Sequence, residues 1–495
     1  MDSVTTPLLA ADEEAPAPSD GKAEEDTRRH LGLFDGVALV LGLQIGSGIF
    51  SSPSLVLRNT GSEPVALAVW CIAGGLAWAC AVCYTELGTR LPFNGGPQEY
   101  LSYCFSDVYG FLASWACIFT LKPCSAAILA LVVADYVCDA LSLARGPFDY
   151  VPKLIAVSMI TLVTVVNCTG NKLSNIVTKS LLACKIFGVA SIIILGFAVL
   201  IGRRLSPSVV LTELKSPPRP GLSNYTDATL LAMWAYSGWE ALAFVGGELK
   251  NPSRNTAVVI NISMTVVIVL FVLANIAYFS ALLFAEIIRS STIGLTFSQH
   301  FFGRAGGALY TLVICLSCIG TLNVKFFTAS RLTQAAAERQ FLPPVIRTIK
   351  RVSADHGDEP LEANPLRRML EVLRHPTQFG DGLIPLSAII FNALLADAYI
   401  LVGDFGSLII FIGIVEYSIA CITIAGLFTL RLRPRPPEAD SGGGTFRVPW
   451  IIIFVALAAT ALIVFVSVVR HPFAGLGFVF FCGVSTVIYT RIIRV

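Results

Sequence analysis

The sequence predicts an all-α integral membrane protein with about twelve transmembrane helices, and three observations carry that prediction. Of its 495 residues, 55% are hydrophobic and only 14% charged, whereas a soluble chain is about a quarter charged. Mean hydropathy is +0.73. Apolar runs long enough to cross a ~30 Å hydrocarbon core recur along the whole chain. They lie near 35–58, 64–88, 107–139, 152–169, 176–201, 225–248, 256–284, 306–332, 383–401, 405–431, 449–469 and 472–490.

The segments between the runs set the organisation. Residues 1–32 are polar, acidic and rich in Ala and Pro (DEEAPAPSDGKAEED). They read as a disordered cytoplasmic tail with no cleaved signal, followed by a transmembrane domain over 33–495. Basic residues orient the domain. With the N-terminus inside, roughly 22 of the 35 Lys and Arg fall on the cytoplasmic side and about 10 outside. An even number of spans then leaves both termini cytoplasmic. The one long connection, about 333–382, is charged and reads as a cytoplasmic linker with some helix.

Composition also excludes classes of function. A net charge of +2 gives no footprint for nucleic acid. The 13 cysteines lie inside apolar runs, and no pair has metal-ligand spacing with any of the 5 His nearby, so they read as small packing residues. No phosphate-binding glycine loop, metal cluster or nucleophile–base pair marks an enzyme, and no cofactor is expected.

Two of the expected spans are interrupted. The first contains Gly46-Ser47-Gly48 and the sixth contains Ser237-Gly238. Small residues also serve close helix packing in membranes. Here, however, the breaks open two successive five-span blocks, about 33–202 and 225–432, with two extra helices at about 449–490. Matched breaks in two halves point to a binding site between inverted repeats. A break exposes N–H groups at one helix start and C=O groups at the other helix end, with partial positive and negative charge respectively. Within a bilayer these must face a cavity or ligand. An α-amino acid carries a carboxylate and an ammonium that match both. The N–H groups of Ser47, Gly48 and Ile49, with the Ser47 hydroxyl, are expected to take the carboxylate. Carbonyls near Gln44 and Ile45, and near Trp234 and Ala235, are expected to take the ammonium.

The same residues resemble a known family. IGSGIFSSP at 45–53, AYSGWEAL…GGELKNPSRN at 235–255 and LSCIGTLNVKFFTASRL at 316–332 are similar to the amino acid–polyamine–organocation transporter superfamily. The L-type amino acid transporters are the nearest branch, in a fungal-type permease variant. Lys122-Pro123, Val166-Asn167-Cys168, Arg339…Leu342-Pro343 and FRVPW at 446–450 extend the match, which covers most of residues 33–450. The resemblance implies a five-plus-five inverted-repeat core, alternating access and an unwound first and sixth helix around the substrate. It implies substrate contacts over Ile45, Gly46, Ser47, Gly48 and Ile49 and over Trp234, Ala235, Tyr236 and Ser237. It makes Trp234 an aromatic gate. It also puts Lys185 where sodium-coupled relatives hold a sodium ion.

The chain departs from the L-type pattern at three places. Glu240 and Glu416 stand where L-type relatives have Asn, and Tyr417 stands where they have Trp. Carboxylates at membrane depth are costly unless paired, protonated or facing a cavity. Both are expected to line the side-chain half of the pocket, Glu240 with a further role in coupling. Arginine–agmatine antiporters and yeast-type permeases also resemble the chain in having Glu at the Glu240 position. The other reading of the pair is structural, with Lys122, Lys325 or a hydroxyl as partner. The third departure lies between spans three and four. Heteromeric relatives have a cysteine there for a disulfide to a heavy chain. The aligned position is near Arg145, and no Cys lies between Asp139 and Tyr150, so no disulfide-linked heavy chain is expected.

The expected function is secondary transport of L-amino acids, by uptake or exchange, with protons as possible partners, in a plasma or vacuolar membrane. Neutral side chains are favoured. A carrier of cationic amino acids or polyamines is the rival within transport, and a non-transporting nutrient receptor the rival outside it.

Overall fold

A computed structural model describes residues 31–143, 150–169, 171–205, 221–342, 386–403, 405–433 and 446–493. Among these residues the chain is helical apart from short connections and two isolated β-bridges. Among the described residues nine helices are long and apolar enough to cross a membrane, and a bent pair makes a tenth. That pair is α1 (Leu33–Gln44) and α2 (Gly48–Thr60), which meet at 44°.

The chain continues through α3 (Glu63–Arg90) and a short α4 (Pro97–Cys104). The third span joins α5 (Asp107–Ala116) to α6 (Lys122–Ala140) through a π-turn at Cys117–Leu121. Pro123 supplies no N–H to this turn, and the hydroxyl of Tyr399 donates to the Phe119 carbonyl at 3.2 Å. A carbonyl that would face hydrocarbon unpaired is thereby satisfied. This span is the centre of the bundle, with 94% of its most apolar window buried.

α7 (Tyr150–Thr169) and α8 (Asn171–Leu205) follow. The next run is split into α9 (Leu222–Ala235) and α10 (Ala241–Phe244) by a turn over 236–240. α11 (Pro252–Ala281) packs along both α3 and α8. After α12 (Phe284–Arg289) comes α13 (Ile293–Glu338), then α14 (Leu386–Val402), α15 (Phe405–Leu432), α16 (Trp450–Arg470) and α17 (Pro472–Ile488). The last of these is peripheral, with 17% of its window buried.

Two boundaries differ from the sequence reading. The run expected at 306–332 begins at Ile293 and ends at Glu338, with a kink at Gly303 (φ +62°). Polar residues at 298–300 hid the first turns from a hydropathy reading. Helix also occupies the first residues assigned to the linker at 333–382, where Thr333 and Ala336 are buried. The rest of that linker, from residue 343, lies outside the described residues, as do the tail up to residue 30 and the Arg145 position. Leu31, assigned to the tail, is held by Glu248 and Lys250 through two 2.9 Å backbone bonds.

Both ends of the bundle are sealed by polar contacts. At the end where α1 starts, Arg431 pairs with Glu86, Arg331 with Glu248 at 2.8 Å and Arg339 with Glu99 at 2.5 Å. At the opposite end, Tyr136 donates to the Phe50 carbonyl at 2.5 Å and accepts from Gly294 N–H at 3.2 Å. Thr292 donates to Asp139 there at 3.0 Å.

Candidate functional site

The two helix breaks cross in the middle of the bundle and pack on each other. A Cβ at Gly48, the first residue of α2, would lie 2.6 Å from Cα of Ala235, the last residue of α9. A Cβ at Gly238 would lie 2.9 Å from Leu43 Cβ and 3.2 Å from Gln44 N, at the end of α1. Gly238 also has φ +117°, which L side chains rarely adopt. The Gln44 amide completes the crossing by donating to the Tyr236 carbonyl at 3.1 Å. Each half-helix end is thus seated against the other break.

Around the first break, Ile45, Ser47 and Ile49 are buried. The Ser47 hydroxyl has no hydrogen-bond partner among the described residues. Gly46 faces α13, its Cβ position lying 3.3 Å from Thr321. The Ile45 carbonyl was expected to face a ligand ammonium. In this structure the Thr321 and Ser317 hydroxyls of α13 lie 3.3 and 3.4 Å from it.

Lys185 of α8 is 1% exposed, far too deep to reach an interface. Its ammonium donates to the Gly42 carbonyl at 2.5 Å and to Thr321 Oγ1 at 2.6 Å. A cation therefore sits at the carbonyl end of α1, where partial negative charge accumulates. Thr321 and Ser317 escaped the sequence reading. Their spacing of four residues puts both on one face of a helix, and that is the signal that could have found them.

The second break gathers four charged side chains. Gly238 N–H donates to Glu240 Oε2 at 2.9 Å, and Lys122 Nζ lies 3.9 Å from Glu240 Oε1. Ser237 Oγ donates to Glu416 Oε1 at 2.8 Å. Both carboxylates are thereby bonded to the unwound segment itself. Lys122 also lies 3.8 Å from the Phe244 ring centroid. Lys325 donates to Ser125 Oγ at 2.5 Å and is within electrostatic reach of Lys122, Glu240 and Glu416. Two cations and two carboxylates share one buried region. Tyr417 is buried next to Glu416 in α15, within electrostatic reach of Cys80 and Glu240.

Two aromatic candidates point in different directions. Trp234 is 9% exposed and meets Phe405 edge-on at 5.9 Å, so a ring from the start of α15 covers it. The Tyr236 ring packs against Trp70 and Phe271 at 5.7 and 5.1 Å. Its side chain therefore belongs to the core between α3 and α11, and only its backbone reaches the crossing.

A multi-span helical bundle with two such breaks at its centre is the build of a membrane transporter. A family model for amino acid permeases matches residues 31–489. The b(0,+)-type amino acid transporter 1 of Rattus norvegicus is 29% identical over 468 residues, covering 94% of this chain and 88% of that one. The large neutral amino acids transporter small subunit 2 of Oryctolagus cuniculus is 30% identical over 431 residues, with 86% and 74% covered. The human cystine/glutamate transporter is 28% identical over 460 residues, with 93% and 84% covered. The chain belongs to the amino acid permease family, and amino-acid transport across a membrane is its function.

Proposed function

We propose that the protein carries neutral L-amino acids by alternating access, in uptake or exchange coupled to protons. The observation behind this reading is the charge balance at the second break. Glu240 and Glu416 taken alone favour a cationic substrate, but Lys122 and Lys325 share their region. A buried site with balanced charge adds no net attraction for a substrate cation, and a proton then becomes the mobile charge.

In this proposal the substrate carboxylate meets the N–H groups of Ser47, Gly48 and Ile49 with the Ser47 hydroxyl. The ammonium meets carbonyls near Trp234 and Ala235. Trp234 closes over the ligand, Glu240 and Glu416 face its side chain and Lys185 gates the first break. The twelve-span count, the five-plus-five repeat and cytoplasmic termini belong to the same proposal, as does a plasma or vacuolar membrane. One relative's name calls it a small subunit. For this chain we propose transport without a disulfide-linked partner: Cys138, the nearest cysteine, is buried.

One observation favours the cationic rival: Glu416 is bonded to the Ser237 hydroxyl rather than directly to a lysine. Uptake into proteoliposomes, with and without a pH gradient, separates the readings. Neutral amino acids should accumulate with an inward proton gradient. Preferential uptake of lysine, arginine or polyamines would overturn the neutral reading. Failure of preloaded vesicles to exchange label would leave a receptor.

A further inference from the structure

A groove of about 350 Å³ opens on the outer flank of the bundle, between α3, α11 and the lead into α16. It shares no residue with the candidate site. Gly75, Trp78, Asn261, Phe446, Val448 and Ile452 are among its walls. Its surroundings are the lipid-facing surface, where Ile72, Ile262, Ile451 and Phe454 are exposed.

The polar groups of the groove are satisfied by protein. Trp78 Nε1 donates to Asn261 Oδ1 at 3.0 Å, and Asn261 Nδ2 donates to the Ala257 carbonyl at 2.8 Å. What remains for an occupant is an apolar wall, which suits hydrocarbon and not a polar solute. The dimensions agree. Gly75 to Val82 on α3 is seven residues, roughly 10 Å at 1.5 Å per residue. The groove therefore runs from the middle of α3 toward the end where α1 starts, about the depth of one leaflet of a ~30 Å core.

Charge at the mouth specifies the headgroup. Arg254 stands seven residues before Asn261 on α11, on the same helix face and nearer the bundle end. Arg447 stands between Phe446 and Val448. Both arginines are exposed, and neither has an ion-pair partner among the described residues. Basic residues at the mouth of a crevice between spans attract anionic lipid headgroups. The lower wall is itself rigid, because Glu86 accepts from Val448 N–H at 2.9 Å while paired to Arg431.

We propose that this groove is a binding site for one acyl chain of an anionic phospholipid, whose headgroup is held by Arg254 and Arg447. The site would tie the transporter to a membrane leaflet of suitable charge.

Native mass spectrometry of the full chain in detergent, with added phosphatidylserine or phosphatidylcholine of identical chains, tests this. The expected result is one retained phosphatidylserine per protein and little phosphatidylcholine. The double variant R254Q/R447Q should weaken phosphatidylserine retention by about 30-fold, the combined effect of two arginines near a headgroup. Gly75→Leu fills the groove: a Cβ at Gly75 meets no atom within 4 Å, so the variant folds with unchanged Tm and loses the lipid. Equal retention of both lipids, or retention indifferent to R254Q/R447Q, overturns the headgroup assignment. Full retention in Gly75→Leu, displacement by a sterol alone, or a second copy of the chain protected at these residues overturns the proposal.

Discussion

Gly48 and Ala235 are in backbone contact: a methyl group on the glycine would stand 2.6 Å from Cα of the alanine. The first break in the chain is therefore seated on the second, and the space that would receive a ligand carboxylate adjoins a packed contact.

Gly48→Ala should accordingly lower stability as well as uptake. Overpacking of this kind costs about 1–3 kcal/mol, and Gly48→Val should cost more. Thermal unfolding in detergent will show a lowered Tm for both. An unchanged Tm with lost uptake would mean that the glycine serves the ligand alone.

Ser47→Ala separates binding from packing, because the Ser47 hydroxyl is buried without a partner among the described residues. Its removal should leave Tm unchanged or raised, while the KM for amino acids rises about 10- to 100-fold, the order of one hydrogen bond to a charged group. Decarboxylated amines should compete poorly with both proteins. Strong competition by the amines would move the carboxylate elsewhere.

Lys185→Met should retain substrate binding and slow uptake at least tenfold. The lysine ties the Gly42 carbonyl of α1 to α8, whereas Thr321 still reaches Gly42 at 3.1 Å from α13. Equilibrium binding measured beside uptake will show the split. Transport at the wild-type rate with an unchanged pH profile would remove the lysine from the cycle.

Glu240→Gln should flatten the dependence of uptake on external pH and spare exchange of neutral amino acids. In the wild type, uptake should rise as external pH falls, because the transported proton comes from that side. The variant also leaves Lys122 without its carboxylate at 3.9 Å. Breaking a buried pair costs about 3–5 kcal/mol, so Tm should fall. Lys122→Met with Glu240→Gln should recover part of that loss. If Glu240→Gln changes neither the pH profile nor the substrate ranking, the glutamate is structural.

Arg331→Gln with Arg339→Gln removes two ion pairs that close the end where α1 starts, to Glu248 and Glu99. A cysteine introduced at Ser237 should then react faster with a membrane-impermeant thiol reagent applied from that end. Equal rates would place the closure of this end in other contacts.

Much of this was legible in the sequence. Both breaks stand where Gly46-Ser47-Gly48 and Ser237-Gly238 announced them, because glycine and serine interrupt an apolar run in a way that survives without coordinates. The four charged residues of the second break were visible singly, since each is an anomaly at membrane depth. Lys122, Lys325 or a hydroxyl already stood as possible partners of the carboxylates, but which partner each takes was not legible: it depends on α6, α13 and α15 meeting across the bundle, which no local pattern encodes. Thr321 and Ser317 passed unnoticed because hydroxyls in an apolar helix usually bond their own backbone. The direction of the Tyr236 ring was out of reach for a related reason. Its position in the break is a property of sequence, but the direction of its ring is set by Trp70 and Phe271.

The buried Glu86 carries a consequence for the order in which the chain assembles. Its carboxylate is held by Arg431, 345 residues later. Ribosomes release α3 long before α15 exists, so for most of synthesis that partner has not been made. Arg90, one turn along α3, contacts the same carboxylate at 2.5 Å and emerges almost with it. The nascent hairpin thus carries its own counter-ion into the bilayer, and the late arrival of Arg431 converts a provisional neutralisation into a lock between the first and last parts of the core. Replacing Arg90 should harm membrane insertion more than it harms the finished protein.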